Sequence, residues 1–261
     1  MTSLPDRSSI MRALAFLSRF PVAGRHFEGA GPGRTARDAA AFPLAGAIIA
    51  LPGAAAIALF SLLGATALLA AALAVTATIA VTGALHEDGL GDTADGFGGG
   101  TDAEGRLAIM KDSRVGAYGV LALTASVLLR TLALGALIGG AGAIGAALAF
   151  IGVQAGSRAA LVWYWSELPP ARDDGVAAGA GQPADDAVSG ALLAGAALFA
   201  ALGLLTAGLL PTLLALVFAA ASLAAFSRIS RRLIDGQTGD TIGAAEQIAQ
   251  LALLVGLAMA P

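Results

Sequence analysis

The amino-acid sequence predicts an all-α protein: a polytopic membrane bundle of about seven transmembrane helices preceded by an amphipathic helix. Three observations lead there. The 261-residue chain is 57% hydrophobic and only 13% charged, with a mean hydropathy of +0.80, outside the balance of soluble domains. Apolar runs of roughly 20 residues, enough to cross the hydrocarbon layer, recur along it. The charges avoid most of those runs and collect in a few connections.

From the amino terminus, Ser8–Phe20 sets Ile10, Ala13, Leu14 and Leu17 at i, i+3, i+4 and i+7, with Arg12 and Arg19 elsewhere on the wheel. Such a helix either lies on the membrane surface or packs against the bundle. Residues 22–41 read as a polar connection carrying Arg25, Arg34 and Arg37, with Pro21 and Pro32 as breakers. Spans are expected near Pro43–Leu63, Ala65–Leu85, Ala117–Ile138, Ala143–Trp165, Val188–Ala207, Leu209–Ser227 and Ile242–Ala260. Pro52 should kink the first and Pro211 should start the sixth. Their many Ala and Gly residues permit close helix packing in lipid and indicate a packed bundle, not a function.

Charge then orients the chain. The linkers near Gly64, Gly139–Gly142 and Gly208 are uncharged, while the amino-terminal segment and the connections 86–116, 166–187 and 228–241 are charged. The positive-inside tendency makes the charged set cytoplasmic, with the amino terminus inside, seven crossings and the carboxyl terminus outside. Residues 1–261 read as one membrane-embedded domain, with 1–41 as its amphipathic, cytoplasmic segment and 86–116 as its catalytic one. Arg130 and Arg158 fall inside the third and fourth spans, where each either snorkels or needs a partner or an aqueous cavity. Arg158, nearer the cytoplasmic end, is the better candidate for a substrate contact.

Several chemistries are excluded. There is no cysteine, so disulfides and thiolate metal sites are ruled out, and His26 and His86 are too few for a histidine-rich zinc centre. No basic patch interleaved with aromatics suggests nucleic acid. Arg12 and Arg19 interrupt the early apolar residues before a secretory signal core develops.

The chemistry-bearing stretch is His86–Gly119, where acids, glycines and bases sit between apolar runs. If His86–Asp95 is helical, Asp88, Asp92 and Asp95 share a face within about 60°. Such a row repels itself unless a cation sits among it, and a hard divalent ion, Mg²⁺ first, suits oxygen ligands. Gly96, Gly98, Gly99 and Gly100 would let backbone N–H groups approach an anion, and Lys111 and Arg114, flanking Asp112, are placed to hold a diphosphate. Metal-assisted phosphoryl-group transfer is the reaction class implied. The bland alternative is a solvated loop between two helices. Further on, Arg172 in the Pro/Gly/Asp-rich connection reads as a solvated loop charge. Gly239 and Asp240 open a helix at Thr241, where Asp240 either joins the metal site or caps the helix.

FLSRFPV at Phe16–Val22, AFPLAG at Ala41–Gly46, HEDGLGDTADGFGGG at His86–Gly100, IMKDSRVGAYGVLAL at Ile109–Leu123, LPPARDDG at Leu168–Gly175 and GQTGDTIGA at Gly236–Ala244 resemble, in order, segments of the cobalamin synthases, the adenosylcobinamide-GDP ribazoletransferases. The resemblance runs nearly end to end, and its central pair of segments is specific. It implies an integral inner-membrane enzyme, its site on the cytoplasmic face, that uses Mg²⁺ to join adenosylcobinamide-GDP to α-ribazole or α-ribazole 5′-phosphate, releasing GMP. A homo-oligomer is compatible with it. Carried onto this chain, the acidic motif falls on His86, Asp88, Asp92 and Asp95, the basic one on Lys111, Asp112, Ser113 and Arg114, and the late one on Gly239, Asp240 and Gly243. In that setting Asp88, Asp92 and Asp95 hold the metal, Lys111 and Arg114 hold the diphosphate, and Asp112, Asp240 or His86 is the candidate base. One departure stands out: Gln247 occupies the place of a family glutamate, with Glu246 one position earlier.

Two rivals make different demands. A CDP-alcohol phosphotransferase also gathers aspartates round Mg²⁺ in a helical membrane bundle, but its motif resembles DGxxAR, and Asp88–Gly89 is followed by Asp92 too soon and with no arginine in place. A secondary transporter would place ionisable groups near the midplane, open to both sides, whereas here nearly all cluster at one face.

Overall fold

The computed structural model describes residues 5–28, 31 and 33–259. Pro32, expected as a breaker, and Ala260, expected to end the last span, lie outside these. Among the described residues every regular element is helical.

Helix α1 (Arg7–Leu17) begins at Asp6, whose carboxylate accepts the Ser9 backbone N–H at 2.6 Å, satisfying one of the first-turn donors. Its stripe of Ala13, Leu14 and Leu17 is buried against α3, so α1 packs on the bundle. Arg12 goes in with it, donating to both oxygens of Asp38 at 2.6 and 2.8 Å and to the His26 carbonyl at 2.7 Å. That buried fork-to-carboxylate pair ties down the connection that follows. The connection is folded into 3₁₀ turns at Gly24–Phe27 and Ala39–Ala41 and a short α2 (Arg34–Arg37).

Helices α3 (Phe42–Ile49) and α4 (Leu51–Leu62) are one apolar run interrupted at Ala50. Pro52 lies just beyond and has no N–H for the helix ladder, as expected for a break here. Helix α5 (Ala67–Thr82) starts at the Thr66 cap and ends at Gly83 with φ 64°; Ala84 follows at φ 59°. Two left-handed residues in succession swing the chain through 90° into α6 (Leu85–Gly99). The second expected span therefore stops short of Leu85, and the acidic stretch is a helix of its own. Helix α7 (Ala103–Ile109), capped by Asp102, comes next.

Helix α8 (Ala117–Glu167) has 51 residues, but Gly142 inside it has φ 73° and ψ 170°, values that only glycine adopts readily. A straight helix would run about 75 Å and separate Arg130 from Arg158 by about 42 Å. Instead Arg130 meets Gln250 while Arg158 meets Glu246, one turn away on α12. Helix α8 is thus two arms folded back on each other at Gly142, in agreement with the third and fourth expected spans.

Helix α9 (Val176–Ala180) is short; α10 (Asp185–Thr206), α11 (Leu209–Ile234) and α12 (Gly239–Ala258) complete the chain. Pro211 lies in the first turn of α11, as expected. Helix α11 runs past the expected Ser227 end to Ile234, so Arg228, Arg231 and Arg232 stand on its last turns, where positive charge complements the helix dipole. By length and apolarity five helical segments among the described residues can cross a bilayer, or six if the bent α5–α6 pair is one span. These figures take α8 as a single segment; seven crossings require its two arms to be taken separately and the bent pair to be included.

Helix α12 packs on α6, α8 and α11. The two intramembrane arginines find partners on and across it. Arg130 donates to Glu87 and Gln250, each at 3.0 Å. Arg158 donates to Glu246 at 2.6 Å, to Ser157 and to Gln154. Gln247 bridges the two halves, donating to Glu87 at 3.2 Å and to Glu246 at 2.9 Å. Buried charges of both signs offset one another here, which removes the need for snorkelling.

Candidate active site

Helices α6 and α12 cross where each lacks a side chain. A Cβ on Gly89 would lie 2.6 Å from the Asp240 carbonyl oxygen, and one on Gly243 would lie 3.4 Å from the His86 Cα. The missing methyl of Gly89 lets the acidic face of α6 reach the amino-terminal turn of α12, and Gly243 lies within ordinary contact of α6. Thr238 caps that turn, its hydroxyl accepting from Thr241 N–H while the Thr241 hydroxyl accepts from Thr238 N–H. Asp240 is therefore not the cap. Its carboxylate is left at the cleft with Gly239, Asp88 and His86.

The helical premise for His86–Asp95 holds. Asp88 is exposed and Asp92 half-buried, and Asp88, Asp240 and Asp95 all act on Asp92 as like charges. Asp95 serves the fold, since its two oxygens accept the N–H groups of Gly116 and Gly119 at 2.7 and 2.8 Å. Gly116 precedes α8 and Gly119 lies in its first turn, so Asp95 caps α8 from another helix.

The glycines after it do something other than expected. Gly98 and Gly99 lie in the last turn of α6, whose N–H groups are used by the helix itself. A Cβ on Gly98 would be 2.6 Å from the Tyr118 ring, and one on Gly99 would be 3.4 Å from Ile109. Gly98 leaves room for the start of α8, Gly99 is in ordinary contact with α7, and both belong to a helix and not to the loop expected.

Cations reach the cleft through the loop after α8. Residues 169–171 pair with Gln237 in a single parallel bridge, Gln237 N–H to the Pro169 carbonyl at 2.9 Å and Ala171 N–H to the Gln237 carbonyl at 2.8 Å. That clamp sets Arg172 3.4 Å from Asp240 and 3.8 Å from Asp174. Lys111 reaches Asp174 at 2.7 Å. A relay of alternating charge, Lys111–Asp174–Arg172–Asp240, thus crosses the mouth. The hydrogen bond from Lys111 holds the Asp174 carboxyl below the usual range. Arg114 is exposed and pairs with Asp112 at 2.6 Å; its side-chain bonds, then its backbone N–H, hold the Asp112 carboxyl down to about 2. Ser113 is exposed between them.

Two of the expected residues are almost fully buried. Arg158 is 1% exposed and engaged with Glu246, which makes it an internal strut. His86 is 2% exposed, its Nδ1 3.7 Å from Glu246. Conversely, Arg172 is not the solvated loop charge that its surroundings in the sequence suggest; its place in LPPARDDG, among the segments that carry the resemblance, is the signal that points to the site. Glu87 has no role in the sequence reading, although a mid-span Arg130 demands a carboxylate and Glu87 lies off the face shared by the three aspartates.

The carboxylates of the cleft are the kind of donor a hard cation such as Mg²⁺ would take. Among the described residues no three carboxylates or imidazoles converge closely enough to hold a metal ion. The donor chemistry itself fits a hard cation, because carboxylate oxygens crowd Asp92 and, of the cleft aspartates, the Arg172 guanidinium pairs with Asp240.

A family model described as cobalamin-5-phosphate synthase (CobS) matches residues 9–258. A protein of Sinorhizobium sp named adenosylcobinamide-GDP ribazoletransferase is 49% identical over 253 residues, covering 96% of this chain and 95% of its own. Proteins of the same name from Rhizobium meliloti (strain 1021), 50% identical with 96% of each chain covered, and from Allorhizobium ampelinum, 45% identical with both chains covered completely, are similar to it. No solved structure matches. Since the match reaches from α1 to the end of α12, taking in every helix that shapes the cleft, the chain belongs to the cobalamin-5-phosphate synthase (CobS) family.

Proposed function

We propose that this chain is an adenosylcobinamide-GDP ribazoletransferase of the inner membrane, with its cleft and amino terminus on the cytoplasmic side and seven crossings. It joins adenosylcobinamide-GDP to α-ribazole or α-ribazole 5′-phosphate, giving adenosylcobalamin or its 5′-phosphate and GMP. The observation that carries the reading is the meeting of α6 and α12, which sets Asp88 and Asp92 beside Asp240 under a bridge of cations.

A ribose hydroxyl of the acceptor attacks the phosphorus nearer cobinamide. The new P–O bond forms as the bond to the bridging oxygen breaks, and GMP leaves with that oxygen and its electron pair. Asp240, at the cleft and paired there with Arg172, takes the hydroxyl proton. Asp112 is a poorer choice for that step, because it pairs with exposed Arg114 and does not line the cleft that holds Asp240. Lys111, Arg114 and Arg172 exchange their carboxylate partners for diphosphate oxygens when substrate arrives. Asp88 and Asp92, with Asp95 behind them, are the residues that would hold Mg²⁺, which when bound supplies neutralisation of the diphosphate charge.

The test is purified protein in detergent with adenosylcobinamide-GDP and α-ribazole, with and without Mg²⁺. GMP release that needs both substrates and the cation is expected. No GMP under any of these conditions overturns the reading.

A further inference from the structure

The cleft that holds Asp88 and Asp240 continues into an aromatic part that the transfer chemistry leaves unused. A pocket of about 210 Å³ is lined by Phe16, Phe42, Trp165 and His86 and meets Asp88 and Asp240 at its edge. The three aromatic rings form a chain, Phe16 to Phe42 with centroids 5.9 Å apart and Phe42 to Trp165 with centroids 6.1 Å apart, both pairs stacked. Trp165 and His86 are each 2% exposed. Neither the Trp165 indole Nε1 nor the His86 Nε2 has a hydrogen-bond partner.

A buried N–H without a partner costs about 1–3 kcal/mol, and native structures rarely retain one without a use for it. The chemistry of the pocket narrows what that use is. An acyl chain would fill the volume and leave the indole donor unmet. A phosphate would face Asp88 and Asp240 across a low-dielectric wall. A corrin macrocycle is far too large for about 210 Å³. A flat bicyclic heteroaromatic ring fits: its faces lie against aromatic side chains, its bulk matches the space, and an acceptor nitrogen on its edge meets the indole donor.

We propose that this pocket binds the benzimidazole base of the ribazole acceptor, with Trp165 donating to its free ring nitrogen and Phe16 and Phe42 packing on its plane. The assignment rests on the transfer reading above. It explains how the acceptor is aligned, since a base seated here leaves its ribose at the edge where Asp240 waits for the hydroxyl proton.

The experiment measures GMP release by detergent-purified wild type, Trp165→Phe and Phe16→Ala, with the KM for α-ribazole and the KM for adenosylcobinamide-GDP obtained separately. Trp165→Phe keeps a ring and removes the donor, and it should raise the α-ribazole KM about five- to tenfold while the KM for the GDP-linked substrate moves less than twofold. Phe16→Ala, at the half-exposed rim, should shift the same constant in the same direction. A second measurement needs no turnover: in a Trp163→Phe background, which leaves Trp165 the one tryptophan, α-ribazole should quench the remaining fluorescence saturably and ribose 5-phosphate should not. An unchanged α-ribazole KM in both variants, while wild type releases GMP, sinks the pocket and spares the transfer reading. If wild type releases no GMP the transfer reading falls, and the quenching alone decides the pocket: saturable and base-dependent supports it, none overturns it. Should Trp165→Phe fail to fold, Phe16→Ala and the quenching decide in the same way.

Discussion

Arg172 lies 3.4 Å from Asp240 although 68 positions separate them. Neither the loop after α8 nor the turn before α12 would place them together alone; the two-bond clamp between residues 169–171 and Gln237 does so. A guanidinium in that place serves an anionic substrate more than the fold, because both partners keep some exposure. Arg172→Ala should therefore lower kcat/KM about ten- to hundredfold, the scale of a lost charge-assisted hydrogen bond. Arg172→Lys should recover part of it. GMP release gives the rates, and a kcat/KM within threefold of wild type for Arg172→Ala would remove it from the site.

Asp92→Asn removes one negative charge from the most crowded carboxylate and changes no packing volume. Turnover should fall at least a hundredfold and the Mg²⁺ concentration for half-maximal rate should rise, with the protein still inserted in membranes. Full activity with an unshifted Mg²⁺ titration would show that Asp92 holds no metal.

The proton acceptor can be separated by pH. A carboxyl whose folded value is depressed to about 2, as for Asp112, keeps its charge through the working range and loses it only as pH falls that far. Asp112→Asn should thus leave the acidic limb of the pH–rate profile where it was, whereas Asp240→Asn should abolish or flatten that limb. The opposite pattern would move the base from Asp240 to Asp112.

Glu246 and Arg158 are both fully enclosed. Glu246→Ala strands a buried guanidinium and should cost about 3–5 kcal/mol, read as loss of thermal unfolding temperature in detergent. Arg158→Met combined with Glu246→Leu should cost less than the single change. Equal losses would mean that the pair is not coupled as its geometry indicates.

Gly98→Ala distinguishes packing from phosphate binding. A methyl there meets the Tyr118 ring at 2.6 Å, so the ring or the start of α8 must shift. Thermal stability should drop while the KM for the GDP-linked substrate stays within twofold. A raised KM at unchanged stability would restore a diphosphate role.

Helical membrane character and the shared face of Asp88, Asp92 and Asp95 are legible in the sequence. Both follow from properties a short window contains, namely apolar run length against bilayer thickness and 3.6 residues per turn. The folding back of α8 is legible for a similar reason, in the uncharged Gly139–Gly142. What each aspartate does is not. Asp95 caps α8, Thr238 rather than Asp240 caps α12, and Gly98 makes room for Tyr118, because these depend on which helices come within a few ångströms of one another.

The residues alone, through composition and spacing, established a helical membrane chain with its acids in one row and its bases a few positions later. Folding assigned the partners: Arg172 for Asp240, Glu87 for Arg130, Glu246 for Arg158, and an aromatic pocket beside the carboxylates. Periodicity is a local property of the backbone, whereas these pairings join positions tens of residues apart and exist only once the turn at Gly142, the clamp at Gln237 and the close approach at Gly89 bring their elements together.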